Sequence, residues 1–291
     1  MTDIVQALWG GILTGSIYGL MAVGLTLMWG AVRLLNLAHG ALYVVGGYAA
    51  WTFVDHGVPL VLAVAMAVIA TGAVGYVMFL VVIRPLLGRA MWDAASIIAT
   101  VGVATGIQAL VLLVYGPQVK KIDPFLSGVY HWEGVAISRQ GIAVTVIALA
   151  SLLLVYWYLG SSRQGMAIRS VSQNLDAASL MGVSVHRTYA IVVTLGAALA
   201  GLAGVVLSSI LFLSPSSGFN PMVIALVVTM FGGLGSVKGT IVAAYLTGIF
   251  VSVVQVYAGA QYALPGLFLL MMIVIVIRPH GLFGRAAVQR L

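Results

Sequence analysis

A succession of long apolar runs, parted by short polar connectors, leaves this chain one environment to fold in. The runs cover 5–30, 38–54, 59–83, 92–115, 139–160, 188–213, 220–232, 239–257 and 262–277, of which the second and seventh are short. About 20 apolar residues in helical form cross the hydrocarbon of a bilayer. Inside that hydrocarbon every backbone donor needs an internal partner, so runs of this kind are expected as helices. With 62% hydrophobic and 7% charged residues, too little polar surface remains to coat a soluble globule. The expected fold class is all-α, a polytopic transmembrane helical bundle lodged in the lipid bilayer. One transmembrane domain is expected over 1–291, with a first half 1–160, a connector 161–187 and a second half 188–291.

The chain has no cysteine, which excludes disulfides, thiolate metal sites and cysteine nucleophiles together. Its net charge of +7 would suggest nucleic acid in a soluble protein. Here the charge reads as topology, because basic residues mark cytoplasmic connectors. Arg84, Arg89, Arg163, Arg169, Arg187, Arg278, Arg285 and Arg290 fall on one side; Lys120, Lys121 and Arg139, diluted by Asp123 and Glu133, fall on the other. The C-terminus is therefore expected in the cytoplasm and the N-terminus outside, provided the short second run crosses fully. The stretch "MTDIVQALW" has no basic leader region and is read as a retained first span. Trp92, Tyr156 to Tyr158 and Trp132 fall near the expected interfaces, although packing would use the same rings.

The stretch "MFGGLGSVKGT", Met230 to Thr240, has the glycines, lysine and hydroxyl of a phosphate-binding loop in the wrong order, since Lys238 precedes Gly239. Residues 28–48, "MWGAVRLLNLAHGALYVVGGY", share its plan: Met-aromatic-Gly, a polar interruption, a glycine, then a small-residue helix. An internal repeat with two broken helices follows. Breaks inside a membrane survive only where protein or a water-filled cavity pairs the freed backbone, and matched breaks point to a translocation pathway. Asn36, His39, Gly40, Gly232, Gly233 and Ser236 are the candidate pathway residues, against the alternative that glycine-rich helices simply pack closely. If helical, Arg33, Asn36 and His39 share one face. Asn36 suits a pathway best, because an amide caps free backbone without charge, while His39 reads equally as a helix-start residue with a satisfied hydrogen bond. Lys238 is expected in a cytoplasmic turn, and "SPSSGFNP", Ser214 to Pro221, in an outer loop.

The connector Ser161 to Thr188 contains a short amphipathic helix, "QNLDAASLM", with Ser172 as N-cap and Gly182 as stop. It is expected to present Leu175, Ala178 and Met181 to whatever lies beneath the membrane.

"RLLNLAHGALYVVGGYAA", "GMAIRSVSQNLDAASLMGVSV", "GGLGSVKGT" and "RPHGLFG", in that order over nearly the whole chain, resemble the shorter of the paired permeases of bacterial branched-chain amino acid ABC importers. The resemblance implies an inner-membrane pore shared with a second homologous permease subunit, two cytoplasmic ABC ATPase subunits beneath, and a periplasmic solute-binding protein above. It also makes Gln173, Asp176, Ala177, Ala178, Met181 and Gly182 the ATPase-coupling segment. Asp176, where the family has glutamate, and Lys238, where an uncharged residue is usual, depart from the pattern. No catalytic residue, metal or cofactor is expected, and ATP would be hydrolysed by separate subunits. Every acidic residue falls at a span end or in a connector, so the carboxylate relay of an ion-coupled secondary transporter is missing. A membrane-embedded enzyme would need a clustered base and nucleophile, and none is visible around His39. Leucine, isoleucine and valine are the implied cargo, with urea, short amides and aromatic acids as alternatives.

Overall fold

The computed structural model describes residues 2–89, 91–132 and 135–284, which leaves Glu133, Arg285 and Arg290 outside it. Helix α1 spans Thr2–Val32 and α2 spans His39–Asp55. Helix α3, Leu60–Met78, widens into a π turn at Phe79–Ile83 before α4, Arg84–Leu86, where Pro85 offers no N–H to the preceding turn. Helix α5 is Trp92–Tyr115, and α6 is Arg139–Ser161. Helices α7, Arg163–Gln173, and α8, Leu175–Leu180, form the connector. Then come α9, Val185–Ser208, α10, Phe219–Gly232, α11, Val237–Tyr257, and, after a 3₁₀ turn at Ala260–Tyr262, α12, Ala263–Ile277. Among the described residues, seven helical stretches are long and apolar enough to cross a membrane. The second and seventh runs are the 17-residue α2 and the 14-residue α10.

Before α6 the connector that carries Lys120, Lys121 and Arg139 holds a β-hairpin. Strands β1, Val129–Trp132, and β2, Val135–Ser138, pair antiparallel. The side chain of Gln6 bonds both backbone groups of Ala136, its Nε2 donating at 3.3 Å and its Oε1 accepting at 3.2 Å. The start of α1 is thereby held at the hairpin end of the bundle. The opposite end carries α7 and α8, and is called the connector end below.

Directions of the helices follow from the contacts between them. Gln140, at the start of α6, donates to the Ser209 hydroxyl at 2.6 Å, so α9 finishes where α1 begins. Helices α1 and α9 cross antiparallel with Gly24 against Gly196, where added methyl groups would press on the facing backbone. In lipid, where burial of apolar surface drives little, such small-residue contacts let dispersion hold helices together. Helix α1 packs on α10 and α11; α9 packs on α2 and α3. The unit α1–α2–α3 thus recurs as α9–α10–α11, turned upside down. This register is not the one suggested by 28–48 and 230–245. Met28 to Gly30 and Met230 to Gly232 resemble each other because both stand at the connector ends of their helices, where Gly30 meets Gly235. The structural counterpart of the break after α1 is the break between α9 and α10.

Candidate functional site

The first break runs from Arg33 to Ala38 and is not helical: Arg33 sits at φ +56°, Leu34 to Asn36 form no regular element, and Leu37 and Ala38 turn into α2, so Arg33, Asn36 and His39 do not share a helical face. Burial alternates instead: Leu34, Asn36 and Ala38 are fully buried, while Arg33 is exposed and Leu35 and Leu37 are half-buried. Its freed donors are paired one by one. The Leu37 N–H donates to Thr100 Oγ1 of α5 at 3.2 Å, and the Ala38 N–H donates to Asn36 Oδ1 at 3.1 Å. The His39 N–H reaches the Asn36 carbonyl at 3.3 Å. Asn36 also donates through Nδ2 to Met28 Sδ at 3.4 Å. His39, fully buried, donates through Nε2 to the Met21 carbonyl at 3.0 Å and lies against Gly24.

The segment climbs back beside α1, from Val32 at the connector end to His39 at the level of Met21, and α2 continues to the hairpin end. Non-helical chain plus the short α2 therefore completes one traverse. Helix α10 starts at the same depth and runs the other way. Gly40 and Gly218 touch there: a methyl group on either would overlap the other's carbonyl oxygen. The two helix N-termini consequently meet, and the positive ends of their dipoles converge midway along the bundle. Beside them opens a cavity of about 240 Å³, walled by Gly40, Val44, Thr105, Gln108, Ser216 and Met222 among others.

The second break, Ser209 to Gly218, is held differently. Lys120 and Leu213 exchange backbone hydrogen bonds at 2.8 Å each way. The Ser217 hydroxyl accepts from the Ser214 N–H at 2.8 Å and bonds the Ser214 hydroxyl. The outer loop read as Ser214 to Pro221 ends sooner, because Phe219 already opens α10.

Gly232, Gly233 and Ser236 lie at the other end of α10, about 20 Å from Gly40 by helix rise, so the candidate pathway residues form two groups. Gly233 (φ +101°) makes the turn, and Ser236 caps α11 by accepting from the Gly239 N–H at 3.2 Å. The tail closes over them: Leu282 and Phe283 donate their N–H groups to the carbonyls of Phe231 and Gly232 at 2.9 and 3.2 Å. Lys238 is exposed in the first turn of α11, 5.4 Å from the centre of the Tyr156 ring.

In the connector, the N-cap of α8 is Asn174, whose Oδ1 accepts from the Ala177 N–H at 3.0 Å. Ser172 lies inside α7 and bonds the Arg169 carbonyl instead, and Gln173 is the last residue of α7. Gly182, at φ +82°, ends the turn as expected. Asp176 and Ala177 are exposed, but Ala178 is buried against its own chain. The protruding apolar groups are Leu175, Leu180 and Met181, the last two 86% and 84% exposed. Leu180 was not foreseen, because spacing of three from Leu175 selects the inward-facing Ala178.

The profile of the family described as "Branched-chain amino acid transport system / permease component" matches residues 7–277. The chain belongs to this family. Among individual relatives, the BraD high-affinity branched-chain amino acid permease of Pseudomonas aeruginosa is 30% identical, over 98% of this chain and 97% of its own. The LivH protein of Escherichia coli K12 is 27% identical over the same shares. The ribose import permease RbsC of that strain is 28% identical over 80% of this chain and 73% of its own. Among solved structures, PsaBC from Streptococcus pneumoniae in complex with Fab covers 97% of this chain and 92% of that one, at TM-score 0.47 and 13% identity.

Other parts of this permease were not singled out from its sequence. Thr26 bonds Thr240 at 2.7 Å, and Thr229 donates to the Ala22 carbonyl at 3.1 Å, a buried hydroxyl group that joins α1, α10 and α11. Isolated threonines in apolar runs carry no spacing signal. Gln108 did carry one: it is an exposed amide deep within α5, a poor neighbour for lipid. Of the candidate residues, Gly40 lines the mid-bundle cavity, while Gln173 and Ser236 line a second one at the connector end. Asn36 and His39 face packed protein in this conformation.

Proposed function

We propose that this permease forms the translocation pathway for branched-chain amino acids in an ATP-binding-cassette importer. One observation carries the mechanism: two half-length helices begin head to head at Gly40 and Gly218, beside a cavity walled by Thr105, Gln108 and Ser216. Half-helix N-termini favour an anionic group such as a substrate carboxylate. The apolar Val44 and Met222 suit an aliphatic side chain. A second homologous permease would cover the open side of this cavity, and a periplasmic solute-binding protein would deliver cargo at the hairpin end. The connector end would face the cytoplasm, since Arg84, Arg89, Arg163, Arg169, Arg187 and Arg278 gather there. Both termini then keep their expected sides, N-terminus periplasmic and C-terminus cytoplasmic. ATP would be hydrolysed by two separate subunits. They would grip the segment from Gln173 to Gly182 through Leu180 and Met181 and rock the inverted units about the sites around Asn36, His39 and Gly40 above and Gly232, Gly233 and Ser236 below.

The deciding experiment reconstitutes the complete importer and measures leucine uptake with ATP, with unlabelled isoleucine, valine, urea, phenylalanine and ribose as competitors. Uptake should need ATP and be blocked by isoleucine and valine alone. Uptake driven by a cation gradient without ATP would sink the proposal. Replacing Leu180 and Met181 by aspartate should abolish ATPase co-purification while leaving the permease folded, whereas A178R should lower the stability of the permease itself, because that side chain is buried.

A further inference from the structure

The connector-end cavity has a composition that the pathway does not require. It encloses about 700 Å³, and its walls combine Trp29, Leu234 and Phe283 with the guanidinium-bearing Arg33 and Arg169. No carboxylate is among the described residues that line it. Arg33 sits in the left-handed region, at φ +56°, an uncommon conformation for a residue with a side chain. Arg169 gives one N–H to the Gly160 carbonyl at 3.2 Å, and a guanidinium has five to give. Ser236, which accepts from the Gly239 N–H, keeps its own hydrogen to donate. Two like charges facing one cavity repel each other, and an anion between them reverses the sign of that interaction. Guanidinium forks match carboxylate and phosphate oxygens in geometry as well as charge. Apolar walls next to them select an anion carried on a hydrophobic body.

We infer that this cavity binds an anionic head group borne on an apolar body, with Arg33 and Arg169 on the head and Trp29, Leu234 and Phe283 on the body. Two sources share that chemistry. One, which rests on the proposed function, is the carboxylate of a hydrophobic amino acid arriving from the pathway, whose ammonium would turn to the open side of the cavity away from the arginines; the other is an anionic lipid of the facing leaflet. In either case the occupant joins the first break, through Arg33, to α7, through Arg169, and so ties the core to the connector.

The test uses the full chain in nanodiscs of phosphatidylcholine alone, with photo-leucine, the diazirine analogue of leucine, as probe and its carboxamide as control. After illumination, peptide mapping should find label on the segments holding Trp29, Leu234 or Phe283. The acid should label about tenfold more than the amide, the ratio expected for one lost charge-assisted hydrogen bond. The double variant R33G/R169Q should lose the excess; glycine takes the φ of position 33 freely, so the loss reports charge. R33K/R169K should restore part of it. A second arm adds phosphatidylglycerol and weighs the retained lipid by native mass spectrometry. Retention that depends on the same arginines and blocks the label supports the site and makes lipid its occupant. Equal labelling by acid and amide, together with lipid retention unchanged in R33G/R169Q, overturns it. Failure of ATP-driven uptake with this labelling intact would sink the import mechanism and leave the site standing.

Discussion

The two breaks serve one geometry with different bonding. In the first, from Arg33 to Ala38, a fully buried asparagine and a threonine on another helix accept the freed N–H groups. In the second, from Ser209 to Gly218, the chain bonds its own serines and pairs backbone to backbone with Lys120. Ser214 and Ser217 are half-buried and Ser216 is exposed, so water can replace what a side chain supplies. The first break is fastened by specific side chains that nothing else can replace. The second, after the buried Gln140–Ser209 bond at its start, is fastened by interchangeable ones. The lesson is that inverted units need equal backbone paths but not equal side chains, and sequence similarity between them fades accordingly.

Equality of the paths is the sharpest point to attack. G40A and G218A should each destabilise the protein at or beyond the upper end of the ~1–3 kcal/mol range for overpacking, because each methyl meets backbone and not a movable side chain. Thermal unfolding of the purified protein in detergent should show similar losses for both, and a tolerated G218A would mean that the second helix start has slack. A smaller effect separates the breaks: N36A should cost about 1–3 kcal/mol by orphaning the Ala38 N–H in a buried setting. T100V, which strips the acceptor from the half-buried Leu37 N–H, should cost about 1 kcal/mol. S217A, its counterpart in the second break, should cost about 0.5 kcal/mol, with the same unfolding measurement as the check. Losses at Ser217 equal to those at Asn36 would erase the distinction. Of similar size to S217A, K120A should cost about 0.5 kcal/mol, from the contact of its ammonium with the Trp51 ring at 4.3 Å, since the pairing with Leu213 uses backbone atoms only.

What the sequence disclosed follows from the forces that act locally. Apolar runs and their lengths give the helices and the two short members, because the bilayer demands a fixed length. Gly182 ends its helix by a conformation that can be read from the residue itself. The N-cap of α8 is Asn174, two residues beyond the expected Ser172, as both residue types cap equally well and only the path of α7 chooses. The face shared by Arg33, Asn36 and His39 failed because a helical period was applied to non-helical chain, whose pairing comes in part from Thr100, 63 residues from Leu37. The hairpin at Val129–Trp132 and Val135–Ser138 had a signal in its β-branched and aromatic residues around Glu133 and Gly134, outweighed by the surrounding membrane pattern. At the candidate site, Gly40 and Ser236 were identifiable as interruptions. That their groups stand a helix length apart, and that Arg169 joins Ser236 at one cavity, depended on the direction of α10.

Turning one unit upside down relative to the other gives this protein a mirror economy of movement. Under the proposed rocking, a tilt that loosens the N-terminal unit toward one compartment would tighten its twin toward the opposite compartment, since the same joint faces both ways. Sealing and unsealing would then be a single displacement seen from two sides, with no separate gate to be timed against another.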